Sequence, residues 1–414
     1  MKTAAQLVLL LIILAVFMSQ CNREPEPGPE PRIVDQNFLN ALIEEGVDAD
    51  GDGLINTTEA ESVDVLDVSG HHISRLQGIE LFINLVDLNC SNNQLTTLEF
   101  LQNTALEVLD CSQNQLISLD ITHNNSLLYL NCWQNRLTGL DLSENPSLKS
   151  LFCENNLLTA LHLSFNTELE ILSCIANNIT SLDVSMNTSL ACLACTSNQL
   201  SELDVGNNPA LSCLNCVNNQ LKSLDVSHNP KLFFLRCDHN MIANIDLSQN
   251  TLLDYLTCTN NDLTSIDLSR NTGLQVIDCS YNQLNALDLT NHTMVNTLWC
   301  ESNLLTELEL SNLPELAELY CGMNLLTNLD VSSQTKLRIL ECAGNQLTFL
   351  DLHNNSNLGK ETDDWVDCFL NVGGMPDLSE ICVWTLPFPP EGFKLCTDGS
   401  PDVQFINDCN EEPS

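Results

Sequence analysis

At 414 residues the chain has room for two or three ordinary domains, but an internal period overrides that count. Against 55 acidic residues stand only 14 lysines and arginines, a net charge of −41. Nucleic acid is therefore excluded as a partner, because nothing could neutralise its phosphates, and cations or basic surfaces are favoured. The 20 cysteines would mean a disulfide scaffold in a short exported chain, but here most of them recur at a fixed interval.

In chain order, Lys2 and the apolar run LVLLLIILAVFM (7–18) read as an export signal, too short to be expected as a spanning helix. MSQC then puts Cys21 where bacterial lipoproteins carry their acylated cysteine. Gln20 departs from that resemblance, which asks for a small residue, and an ordinary cleaved signal is the alternative. Residues 1–21 are thus a signal with a candidate lipidation site, and contact with a membrane is expected only through that anchor. The acidic Pro-rich run NREPEPGPEPR (22–32) has no apolar residues to bury, and residues 22–35 read as a tether.

Residues 36–62 form an expected amino-terminal cap. QNFLNALIEEGV (36–47) has apolar residues at helical spacing. DADGDGLINTTE (48–59) matches the EF-hand loop: Asp48, Asp50 and Asp52 at 1, 3 and 5, Gly53 at the turn, the Leu54 carbonyl at 7, Asn56 at 9 and Glu59 at 12. Ca²⁺ is the expected ion, in a structural role that orders the junction between the leading helix and the first coil; an acidic turn is the bland alternative. Ile55 at position 8 points to the core.

From residue 63 to 357 one unit repeats. A 22-residue coil (63–84) comes first, with one helical turn expected on its outer side. Thirteen coils of 21 residues succeed it, with cysteines at 90, 111, 132 and so on to 342. An asparagine stands three residues beyond every one, from Asn93 to Asn345. The pattern L-x-x-L-x-C-x-x-N-x-L is a leucine-rich repeat with cysteine in place of its third leucine. Positions 4 and 6 share one strand face and 3, 5 and 7 the other. Fourteen parallel strands are therefore predicted, with Leu and Cys inward. The outer return is too short for a full helix and should be extended or 3₁₀. The asparagine of position 9 should bond open backbone groups in its own coil and the next. A second asparagine row, Asn103, Asn124, Asn145 and on to Asn271, marks the return turn.

The inward cysteines are expected as packing rather than chemistry, since Cys is a small, readily buried residue. Ladder disulfides meet parallel Cβ vectors, and ligands along one line cannot wrap a tetrahedral ion. Cys192 and Cys213 lie instead at position 3, on the solvent side, as direct neighbours. Past the repeats, 358–414 reads as a small carboxy-terminal cap with one or two disulfides. Cys382 with Cys409 is favoured, and Cys368 and Cys396 are further candidates.

These residues resemble the cysteine-containing leucine-rich-repeat surface proteins of bacteria, with internalin J-like 21-residue repeats. The resemblance covers 63–357 and implies a curved solenoid with its parallel sheet on the concave face, displayed at a cell surface for adhesion or recognition. The immunoglobulin-like module and wall-sorting signal of internalins have no counterpart, and similar repeats occur in surface lipoproteins of diderm bacteria. An exported, monomeric outer-membrane or cell-surface lipoprotein is the expected setting.

On the open sheet face the candidate ligand-binding residues are Tyr129, Trp133, Phe152, Ile171, Ile175, Val217, Phe234, Arg236, Tyr255, Trp299 and Tyr320. Outward aromatics in a stripe suggest an interface, with cross-strand stiffening the competing account. Catalysis is not expected. His162, His228 and His239 pair with no nucleophile, no phosphate loop or HExxH occurs, and the outer column Asp120, Asp141, Asp183 to Asp351 is too regular for a catalytic dyad. A protein ligand on the concave face is the preferred reading, a captured surface glycan the alternative.

Overall fold

A computed structural model describes residues 33–360, 367–400 and 403–409; the export signal, Cys21 and most of the tether lie outside them. The fold opens with helix α1 (Gln36–Glu44), which buries Phe38, Ala41 and Leu42. Asp35 caps it, one carboxylate oxygen accepting from the amides of Asn37 and Phe38 at 2.9 and 3.2 Å. The other oxygen accepts from the Ser74 amide and hydroxyl and the Arg75 amide. One side chain thus starts the helix and fastens it to the first coil. Helix α2 (Thr57–Glu61) leaves the acidic loop with Asn56 and Glu59 as a reciprocal capping box.

Sixteen parallel strands then form one sheet, from Val65–Asp67 to Leu395–Cys396. Each regular strand pairs with the strand 21 residues on without slippage, as Cys213 with Phe234 and Phe234 with Tyr255. At strand spacing this row runs about 70 Å. The count exceeds the fourteen predicted. Leu370–Asn371 pairs with the strand of the last regular coil, and Leu395–Cys396 pairs with Leu370–Asn371. The segment expected as a cap is thus two further coils of irregular length. Both disulfides lie there, Cys382–Cys409 and Cys368–Cys396. Phe388 and Phe393 pack on Trp384, and Phe369 meets Phe393 edge-on, covering the apolar end of the solenoid.

The outer side carries a two-stranded sheet (Thr97–Glu99, Ser118–Asp120) near the start and a three-stranded one (Phe349–Asp351, Glu380–Cys382, Gln404–Ile406) at the end. Between them it is extended chain and tight turns. The expected helical turn appears once, as a 3₁₀ turn at Ile79–Leu81 in the first coil.

Within each coil the position-4 leucine and position-6 cysteine are buried; all thirteen column cysteines are at most 1% exposed. Position 8 is left-handed throughout the regular coils, at φ 53° in Tyr281 and 52° in Met323. That backbone turns the chain sharply off the strand and aims the next residue inward. Asn114, next in line, donates to the carbonyls of Cys111 and Ser112 in its own coil and to Cys90 of the coil before. Its own oxygen accepts from the Leu95 amide. The expected reach into the following coil is therefore corrected: the asparagine bonds backward, because the left-handed turn carries its side chain toward the preceding strand.

The second row is buried completely. Asn145 donates to the carbonyls of Ile121 and Asn124, and the pattern runs from Asn103 to Asn271. It then changes to His292, Leu313 and Gln334. The His292 ring is 1% exposed; Nε2 meets the Leu268 carbonyl at 3.2 Å and Nδ1 has no partner. Burial pushes its pKa below the usual 6.5. The folded chain therefore holds His292 neutral while the unfolded chain takes up a proton below about 6.5, so stability falls as pH drops through that value. The expected result is a melting midpoint that drops from pH 7 to pH 5 by more in the wild type than in His292→Asn, which restores the ladder donor. Equal drops would show that His292 does not set the pH dependence.

Candidate functional site

The solvent face of the sheet is built by positions 3, 5 and 7, because 4 and 6 are committed to the core. All eleven sequence-derived residues lie on it and are at least partly exposed. They form groups rather than one stripe. Tyr129 and Phe152 meet at 5.6 Å between ring centroids, in the same coils as Trp133 and Glu154. Phe234 stacks on Tyr255 at 4.7 Å and 16°, and Trp299 on Tyr320 at 5.7 Å and 30°. The last two pairs are direct strand partners. The rings therefore stabilise the sheet and still leave one face to solvent.

Arg236, Tyr255, Val217 and Trp299 come together at a cleft of about 310 Å³ whose polar floor sequence reasoning missed. Asp238 is its centre, only 2% exposed. It accepts from Thr257 Oγ1 at 2.7 Å and the Thr259 amide at 3.0 Å, and Arg236 Nε lies 3.4 Å away. Asp278 completes the floor, and burial raises its pKa above the usual carboxylate value. Burial likewise raises Glu301 and Glu341 farther along. It also lifts Tyr320, flanked by Glu318 and Glu341, to about 12. Stacking positions 5 and 7 coil by coil would have revealed this acidic end, as it revealed the aromatics.

At the amino-terminal loop, Asp48, Asp50 and Asp52 each bring a carboxylate oxygen within 4.8 Å of the others. Asp48 already accepts from the amides of Gly51, Asp52 and Gly53. Glu59 folds back to the amides of Ala49, Asp50 and Asn56. Asn56 accepts from the Glu59 amide, and the Leu54 side chain is turned to solvent. The loop is thus held in shape by its own carboxylates, with the Asp50 and Asp52 side chains exposed. The outer aspartates serve turns: Asp183 accepts from the Ser185 amide at 2.9 Å, and that serine's hydrogen bonds hold its pKa down.

A parallel coil of 21-residue units with a buried thiol column and an open aromatic sheet face defines a leucine-rich-repeat solenoid. No family model and no curated protein matches the chain. Among solved structures, the functional domain of InlJ from Listeria monocytogenes, described as including a cysteine ladder, is 33% identical. The match covers 85% of this chain and 82% of that one, with a TM-score of 0.70. An internalin, inlF, from the same species is 22% identical over 73% of this chain and 94% of its own, at 0.69. The plant peptide hormone receptor RGFR1, solved in complex with RGF2, shares the fold at 20% identity over 80% of this chain and 57% of its own, at 0.65. The chain belongs to the internalin J-like, cysteine-ladder family of leucine-rich-repeat proteins. None of these neighbours points to a catalytic family, and no helix among the described residues is long and apolar enough to cross a membrane.

Proposed function

We propose that the chain is a non-catalytic recognition protein that takes a protein ligand on its concave sheet face. One observation carries this: three aromatic pairs stand on the solvent side of a sheet whose inner side is already filled by leucine and cysteine. Core formation does not require rings there, and paired rings are rigid anchors that lose little freedom on binding. The family likeness supports the reading, and the plant receptor, alike in fold alone, holds a peptide hormone. The acidic floor beside Arg236 favours a ligand with basic side chains.

The same proposal places the protein at the cell surface or outer membrane of a diderm bacterium, held by acylation of Cys21, and gives Ca²⁺ the structural role at Asp48, Asp50, Asp52, Leu54, Asn56 and Glu59. When bound, the ion would neutralise the two exposed aspartates and stiffen the approach to the first coil.

Binding of the full chain to immobilised surface proteins and to polysaccharides, with a Trp133→Ala/Phe234→Ala variant alongside, is the test. Loss of two anchors should weaken protein binding by roughly thirtyfold or more. Undiminished binding would move the site off this face, and capture of polysaccharide alone would replace protein with glycan. The same samples melted with and without chelator should separate by several degrees if the loop holds Ca²⁺; coincident curves would refute the ion's role.

A further inference from the structure

Among the described residues 15 cysteines lie outside disulfides, and only Cys192 and Cys213 are not buried. They are direct partners on neighbouring strands, Cys192–Ala194 and Cys213–Asn215, and both project from position 3 on the solvent side. Ile171 and Phe234 occupy the same row on either flank. The pair is thus a dithiol on a rigid floor, open above and walled by apolar side chains.

Strand geometry argues against a disulfide between them. Direct partners on parallel strands keep their Cβ atoms near the strand spacing of about 4.8 Å, whereas a disulfide wants about 3.8 Å. The two disulfides of this fold avoid such partners. Cys396 is in register with Asn371 and bonds Cys368; Cys382 is in register with Ile406 and bonds Cys409. A bridging ion meets the spacing instead. A thiolate–metal bond is about 2.3 Å, so two in line span about 4.6 Å, and thiolates select soft ions such as Cu(I).

We propose that Cys192 and Cys213 bind one soft, closed-shell ion of the Cu(I) class as a two-coordinate bis-thiolate. Two S–H protons leave to solvent, two sulfur–metal bonds form, and no oxidation state changes. The column thiols have the same spacing but no access, and burial alone lifts Cys195 to about 12. A surface of net charge −41 also draws cations toward the site. The metal site does not depend on which ligand the sheet face takes.

The test delivers Cu(I) anaerobically to the reduced full chain against a chromogenic Cu(I) chelator. Wild type should retain one equivalent more copper than Cys192→Ser/Cys213→Ser, and each single variant should lose it. Cys21 and the column are common to all samples and cancel. X-ray absorption should show two sulfur neighbours and no lighter ligand. Because both side chains are only partly buried, the variants should melt as wild type; Ala variants at the same positions replace any Ser variant that does not. Equal copper in wild type and double variant, a higher coordination number, or a Cys192–Cys213 disulfide in the isolated protein would overturn the proposal.

Discussion

Replacing Asn198 by Ala is expected to cost about 3 kcal/mol, a large effect for a side chain that contributes nothing to the apolar core. Asn198 donates to the carbonyls of Cys174, Cys195 and Thr196 and accepts from the Ile179 amide. The carbonyls keep second partners, in Asn177, Asn219 and the Ala176 amide. The Ile179 amide, donating at 3.0 Å inside the core, keeps none. The stranded donor costs roughly 1–3 kcal/mol and the lost bonds a further 0.5–1.5 kcal/mol each at most. Chemical denaturation should show the loss, with faster exchange of the Ile179 amide. A cost below about 1 kcal/mol would mean that water takes over the role. Asn198→Asp keeps the acceptor but turns a carboxylate toward three carbonyl oxygens. It should be at least as damaging at neutral pH and recover in acid, since the folded state then favours the protonated acid.

The second large effect is expected at the other end. Cys382→Ser with Cys409→Ser opens a link across a sequence separation of 27, worth roughly 3.5 kcal/mol by loop-closure entropy. That link holds Glu380–Cys382 beside the last outer strand, Gln404–Ile406, and keeps Phe405 against Phe388. A solenoid's coils each contact only their neighbours, so the damage should stay local. Amides from about 370 onward should lose protection from exchange, while those of the 106–300 coils should not. Protection retained at 370–409 would show that the aromatic cluster closes the end unaided; protection lost throughout would show that the end nucleates the whole.

The regular coils were legible because two periods reinforce one another. Alternation within the strand assigns Leu109 and Cys111 inward and Val108 and Asp110 outward, and the 21-residue step repeats that assignment thirteen times. The burial of both column and ladder is the result. The last two coils escaped because the step becomes irregular: Leu340 pairs with Leu370 and Leu370 with Leu395, so no constant spacing betrays them. Their disulfides were legible, since four cysteines in a short segment need only partners. On the open face the residues were found but not their grouping. Phe234 on Tyr255 follows from register, but the Asp238 network joins residues from neighbouring coils through hydrogen bonds that composition does not announce.

The division of labour within each coil bears on how such a surface changes over generations. Positions 4, 6, 9 and 11 hold the stack, and most side chains at positions 3, 5 and 7 reach solvent. A point change at an exposed outward position rewrites one spot of the face and leaves the buried column and the asparagine ladders as they were. Unequal copying of a 21-residue unit lengthens or shortens the face by one row while every ladder stays in step. The gene can therefore tune its surface letter by letter or row by row.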